Sequence, residues 1–255
     1  MLPMLERMPS ASYTDPRLAA LYDALNPPGA ETAFYLGLAD EVRRAGRSPA
    51  LILDVGCGTG LLACQLAARG DQVTGADPAP AMLRVARSRP GGDRVRWIET
   101  DAAGLADPAR FDLVIMTGHA FQLLLTDQDV SAALRAMGQH LVPGGRLAFE
   151  TRNPAVREWQ DWSPRRTRQR VQAAGLAADV HYDVADVCGE LVTYETRFHF
   201  ADDDIVIVPD TLRFMDQGQV AAFLAGAGYT DVTWYGDWDR SPASEASPEI
   251  IAVAG

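Results

Sequence analysis

The sequence predicts an α/β protein: a doubly wound, mostly parallel sheet of seven strands, with an antiparallel β-meander inserted late in the chain. Three observations carry this expectation. Short apolar runs alternate with helix-length amphipathic stretches through residues 50–150, the rhythm of repeated βα units. The first apolar run ends in a glycine-rich turn, Gly56-Cys57-Gly58-Thr59-Gly60. The rhythm then breaks near residue 152, where side chains begin to alternate with a period of two.

The elements follow in order. Leu18, Leu21, Tyr22 and Leu25 recur at helical spacing, and Asn26-Pro27-Pro28-Gly29 ends that helix. Phe34, Leu36, Leu38 and Val42 mark a second helix. Leu51-Ile52-Leu53-Asp54-Val55 reads as a buried strand. Helices are expected at 60–69, 79–89 and 127–140, and strands at 72–77, 95–99 and 111–117. Pro143-Gly144-Gly145 turns into a further strand, Arg146–Glu150. Right-handed crossovers place the C-terminal ends of these strands along one edge, where ligands bind in such sheets.

Residues 152–215 open with a polar, Arg-rich stretch and continue as three strands near 180–188, 190–200 and 205–214, with a turn at Asp202-Asp203-Asp204. Val192, Tyr194, Thr196, Phe198 and Phe200 alternate with Thr193, Glu195, Arg197 and His199, as in a half-buried antiparallel strand. A helix at 217–227 and strands at 230–235 and 249–254 return to the main sheet. The expected organisation is a ligand-binding domain from residues 1–151 and 216–255, carrying an N-terminal helical lid over 1–48. Residues 152–215 are expected to form an inserted antiparallel subdomain that walls a substrate pocket or pairs subunits as a homodimer.

Composition narrows the function classes. The 255 residues carry a net charge of −11 and no lysine. Phosphate neutralisation needs a basic face, so a nucleic-acid partner is not expected. Arg165, Arg166, Arg168 and Arg170 form the dense basic cluster, and it reads as a solvated face. Cys57, Cys64 and Cys188 are too few and too scattered for a disulfide framework, and no metal-ligand spacing stands out. No apolar run approaches the ~18 residues of a membrane span, and no secretory signal opens the chain. A cytoplasmic enzyme without a metal is the expectation.

The glycine-rich turn lets backbone approach a ligand closely. Leu61 stands where the dinucleotide fingerprint needs its third glycine, and the absence of lysine rules out a phosphate loop of the GxxxxGK[ST] kind. Asp54 before the turn suits a cationic group better than a pyrophosphate. Asp77 ends the second strand, where a carboxylate can accept from both hydroxyls of a ribose. Asp101 follows the third strand and can accept from an adenine amino group. These residues favour a nucleoside with an amino-acid tail, and disfavour the NAD(P)-dependent oxidoreductase that the fold would also allow.

Leu53-Asp54-Val55-Gly56-Cys57-Gly58-Thr59-Gly60 resembles the first motif of class I S-adenosylmethionine (SAM)-dependent methyltransferases. Ala76-Asp77-Pro78 with Met82 resembles the second, Thr100-Asp101-Ala102 the third and Phe111-Asp112-Leu113-Val114 the fourth. Leu141-Val142-Pro143-Gly144-Gly145-Arg146-Leu147 resembles the turn before the fifth strand. The resemblance covers about residues 50–150 and the C-terminal strand pair. It implies a Rossmann-like sheet and SAM as cofactor. It also implies roles. Gly56, Cys57, Gly58, Thr59 and Gly60 would shape the loop under the methionyl part, with Asp54 near the ammonium. Asp77 would hold the ribose, Pro78 and Met82 would sandwich the adenine, and Asp101 with Ala102 would read its edge. Thr117 and Gly118 would line the methionine. The insertion is similar to the three-stranded insertion of some small-molecule methyltransferases, including N-methyltransferases of amino sugars.

Methyl transfer from a sulfonium is an in-line displacement, so alignment and desolvation dominate, and a base is needed only where the acceptor must lose a proton. His119 in Thr117-Gly118-His119-Ala120-Phe121-Gln122 is the candidate base, and His119 and Gln122 are candidate substrate contacts. Glu150, Arg152 and Asn153 after the fifth strand are candidates for the opposite pocket wall, and Tyr22 for the lid. The expected activity is methylation of a small molecule on nitrogen or oxygen. A SAM-binding protein with a regulatory role is the alternative from outside the enzymes.

Overall fold

The computed structural model describes residues 11–106, 110–201 and 204–255. The first ten residues of the expected lid and two of the three aspartates of the 202–204 turn lie outside the described residues.

The chain starts with three helices, α1 (Ala11–Thr14), α2 (Pro16–Leu25) and α3 (Ala30–Arg44). Asp15 caps α2, its side chain accepting from Arg17 N at 2.8 Å, and Pro16 opens the first turn. Strands β1 (Leu51–Val55), β2 (Gln72–Asp77), β3 (Arg96–Glu99), β4 (Phe111–Met116) and β5 (Leu141–Arg152) then alternate with helices α4 (Leu61–Ala68), α5 (Pro80–Ser88) and α6 (Asp127–Gln139). Thr126 and Asp129 close a reciprocal capping box at the start of α6.

After β5 the chain leaves the main sheet through α7 (Pro164–Thr167) and strands β6 (Gln169–Ala173), β7 (Leu176–Cys188), β8 (Leu191–Phe200) and β9 (Ile205–Arg213). It returns through α8 (Gln217–Gly226), β10 (Val232–Tyr235) and β11 (Glu249–Ala254). The main sheet has seven strands in the order β10-β11-β5-β4-β1-β2-β3, and β6-β7-β8-β9 make a separate antiparallel sheet. β1 to β5 pair in parallel, and β11 runs antiparallel to both β5 and β10. The order reverses beside β1, so β1 and β4 diverge to opposite sides at the switch point where a ligand crevice opens.

The predicted α/β class and mostly parallel seven-stranded sheet are present. The second sheet has four strands where three were expected. β6 escapes the pattern because only Val171 of its five residues is buried. Its hairpin turn is Ala174-Gly175, with both residues at positive φ (52° and 77°). The two-residue turn that matches strand twist needs that backbone, and its usual sequence signals are Asn-Gly or Asp-Gly.

Two apolar clusters cover the faces of the main sheet, one built on α6 and α8 and one on α3 and α4. α2 is the wedge between the sheets. Leu18 and Leu21 pack with Val171, Ala178, Val180, Phe198 and Val208 of the second sheet. Ala19, on another face, packs with Ala79, Ala81 and Met82 at α5.

Gly60 shows how tightly the first turn is packed. Its φ is +74°, and a Cβ there would stand 2.4 Å from the Trp97 ring. Gly60→Ala is therefore expected to lower the unfolding free energy by ~1–3 kcal/mol through strain and overpacking, measured as a lower urea midpoint at unchanged slope.

Candidate active site

The crevice forms where β1, β2, β4 and β5 end. Gly56, Gly58 and Gly60 all have positive φ (72°, 54° and 74°), backbone that glycine adopts without strain. Asp77 fastens this turn: its Oδ2 accepts from Gly58 N at 2.8 Å, and its Oδ1 accepts from Ala79 N at 2.8 Å. Ala76 O accepts from Gly56 N and Cys57 N. A Cβ on Gly58 or on Gly118 would meet no atom within 4 Å, so open space lies against both glycines.

Asp54 is 1% exposed, and its Oδ1 has no hydrogen-bond partner among the described residues. Burial, with Asp77 and Glu150 adding repulsion, pushes its carboxyl up to about 7. A buried carboxylate oxygen without a donor is costly, and a ligand ammonium would satisfy it.

The wall opposite is built on His119 and Glu150. Glu150 is 1% exposed. It accepts from His119 N at 2.7 Å through Oε1 and from the Tyr35 hydroxyl through Oε2. The backbone bond helps hold His119 at φ 58°, a left-handed conformation that histidine tolerates better than most residues. The ring is thereby aimed at Glu249, whose Oε1 and Oε2 lie 3.0 and 3.1 Å from His119 Nε2. Burial, reinforced by Arg152, pushes the imidazole down to about 4. Burial pushes Glu249 up to about 8, against the pull of Arg152.

Other expected site residues stand around this core. Tyr22 packs in the cluster of Tyr13, Ala79, Ala81 and Met82 beneath α2, and burial beside Asp77 pushes its phenol up to about 12. Met82 is 1% exposed and packs against α2. Asp101 is exposed and accepts from Gly104 N at 2.7 Å, while Ala102 is buried and Pro78 is exposed. Thr117 and Gly118 lead from β4 to His119. Arg152 donates to Gln122 Oε1 at 2.9 Å, pairs with Glu158 at 3.0 Å and lies over the Trp162 ring. Gln122 is fully buried, and its amide also donates to Arg213 O. Asn153 points away from the crevice: its amide donates to the carbonyls of Ser244, Glu245 and Ser247 and so fastens the C-terminal loop.

Two groups escaped the sequence reading. Glu249 lies 130 residues from His119 and meets it through the β5–β11 register, in which Glu249 sits opposite Arg152. A charged residue opening the otherwise apolar strand Glu249–Ala254 was the available signal. Asp23 on α2 accepts from Thr59 Oγ1 at 2.5 Å and pairs with Arg89, which also donates to Thr59 O at 3.0 Å. Helix α2 is thus latched to the glycine turn.

With this geometry, the comparisons with known proteins are direct. The sequence model of a family described as "Methyltransferase domain" matches residues 52–145. That stretch runs from β1 to the start of β5, less than half of the chain, and it is similar to the family's domain. Among curated relatives, a ubiquinone biosynthesis O-methyltransferase of Idiomarina loihiensis is 39% identical over 112 residues, which are 42% of this chain and 44% of that protein. The chain thus spans less than half the length of that relative. Among solved structures, a SAM-dependent methyltransferase from Clostridium acetobutylicum superposes with a TM-score of 0.74 at 16% identity, over 93% of this chain and 97% of that one. A SAM-bound amino pentose methyltransferase from Micromonospora echinaspora gives 0.65 at 27% identity, over 90% and 92%.

The crevice fits SAM: the orphaned Asp54 oxygen suits the ammonium, and open space lies over Gly58 and Gly118. Asp54 must be ionised to hold an ammonium, so SAM affinity should be full above pH about 7 and fall as pH drops below it. Asp54→Asn should weaken SAM by ~10–100-fold and remove that pH dependence, read by calorimetric titration. Asp23→Ala should speed SAM dissociation on the order of 3–10-fold by releasing α2, read by stopped-flow fluorescence, with little loss of global stability.

Proposed function

We propose that this chain is a SAM-dependent methyltransferase that methylates a nitrogen or oxygen of a small molecule. The observation that carries the proposal is the partnerless, fully buried Asp54 oxygen beneath a glycine turn that opens onto free space. The names of the relatives and structural neighbours, an O-methyltransferase and an amino pentose methyltransferase, agree with it.

Bound SAM supplies a methyl group already activated on a sulfonium. The chain's own residues bind, orient and exclude water. The glycine turn with Asp54 and Asp77 would hold the donor, Pro78, Met82, Asp101 and Ala102 would hold its adenine, and Thr117 and Gly118 would line its methionine. α2 closes over this ground and removes water. His119, at the end of β4, takes the acceptor's proton. The buried carboxylates Glu150 and Glu249 favour an acceptor that is an amine over one that is an acid.

The division into a cofactor domain, 1–151 and 216–255, and a substrate or dimerisation subdomain, 152–215, belongs to the same proposal, as does a cytoplasmic location. In support of the latter, no described helix is long and apolar enough to cross a membrane.

The test is a metabolite screen with methyl-labelled SAM followed by mass spectrometry. Labelled methyl on an amine or hydroxyl product is the expected result. SAM binding without transfer to any amine, alcohol or phenol would reverse the conclusion in favour of a regulatory SAM-binding protein.

A further inference from the structure

The crevice contains a buried acid, Glu249, that has no part in the proton transfer described above. Both oxygens of Glu249 face His119 Nε2, at 3.0 and 3.1 Å. Near-equal distances suit an N–H directed between the two oxygens of a carboxylate. The other ring nitrogen, Nδ1, has no protein partner among the described residues, and the His119 side chain is 21% exposed. It is the atom of this dyad that an acceptor can reach. His119 is fixed from behind as well, because Glu150 holds its backbone N–H at 2.7 Å and Tyr35 holds Glu150.

Resting on the methyltransferase reading, we propose that Glu249 is a positioning residue that acts through His119: it selects the Nε2–H tautomer and receives the proton that leaves the acceptor. As the acceptor's lone pair takes the methyl and the S–CH3 electron pair returns to sulfur, the acceptor's proton passes to His119 Nδ1. The proton on Nε2 passes to Glu249. The sulfonium becomes a neutral thioether, the imidazole ends neutral with its proton on Nδ1, and Glu249 ends protonated. Solvent reloads the dyad.

The direction of transfer follows from the surroundings. In a triad with a solvated or well-paired acid, the imidazolium keeps the proton. Here burial disfavours both charges, pushing His119 down and Glu249 up, so the neutral pair is favoured over an imidazolium facing a carboxylate. Facing groups set the balance. On β5, Arg152 favours ionised Glu249 and neutral His119, and Glu150 favours the imidazolium. Glu31 on α3, Glu158 after β5 and Asp237 after β10 all disfavour a second negative charge at Glu249. Tyr35 stays protonated by burial beside Glu150.

The sign is distinctive. A histidine base lowered to about 4 would give a flat rate through neutral pH. Dependence on ionised Glu249 makes kcat rise with pH through about 8. Glu249→Gln should remove that limb and lower kcat ~10–100-fold with the KM for SAM unchanged. Glu249→Asp should restore the limb in part. An acceptor amine that titrates in the same range would keep its limb in Glu249→Gln, so persistence of the limb overturns the proposal.

A second readout needs no turnover. In 15N-histidine protein, His119 should carry its proton on Nε2 above pH about 8 and on Nδ1 below it, and the switch should vanish in Glu249→Gln. A single tautomer across this range in the wild-type protein overturns the proposal. Failure to methylate any acceptor would count against the methyltransferase reading, while the imidazole spectrum still decides the role of Glu249.

Discussion

Burying negative charge is the constraint around which this molecule is organised. Asp54, Asp77, Glu150 and Glu249 stand within one crevice, none more than 8% exposed. Each needs donors or must take up a proton. Asp77 finds two backbone N–H groups and in doing so fixes the glycine turn. Glu150 finds Tyr35 and a backbone N–H and in doing so fixes the unusual backbone of His119. Glu249 finds the His119 ring. Among the described residues Asp54 finds nothing for Oδ1, a deficit that the ammonium of the proposed donor would answer. The shape of the site is the set of solutions to one electrostatic problem.

Much of the main sheet was legible in the sequence, because parallel strands buried on both faces read as continuous apolar runs punctuated by glycine and proline. Expected and observed strands agree closely at 72–77 and 249–254. β6 was not legible: an exposed strand with one buried side chain and an Ala-Gly turn carries neither periodicity nor turn chemistry. Its existence follows from pairing with β7, which is a tertiary fact.

The site divides in the same way. Residues on the loops after β1, β2 and β4 could be named because strand ends converge by topology. Polar residues after β5 were harder. Gln122 and Asn153 looked like acceptor contacts, yet their amides brace Arg152 and the C-terminal loop. Whether a polar side chain faces a crevice or a neighbouring loop depends on loops distant in sequence. Glu249 was missed for that reason, since only the β5–β11 register brings it to His119.

α2 carries a consequence of its own. One of its residues, Asp23, is bonded to the glycine turn through Thr59 and Arg89. Another, Arg17, pairs with Asp204 beside the second sheet at 2.6 Å, and Leu18 and Leu21 are embedded in that sheet's apolar face. A single short helix therefore touches the glycine turn with one face and the second sheet with its opposite face. Two ligands that each bias the position of a shared element change one another's affinity by the same factor, in both directions. Under the proposed function, the ligand that seats α2 first lowers the entropy the second must surrender.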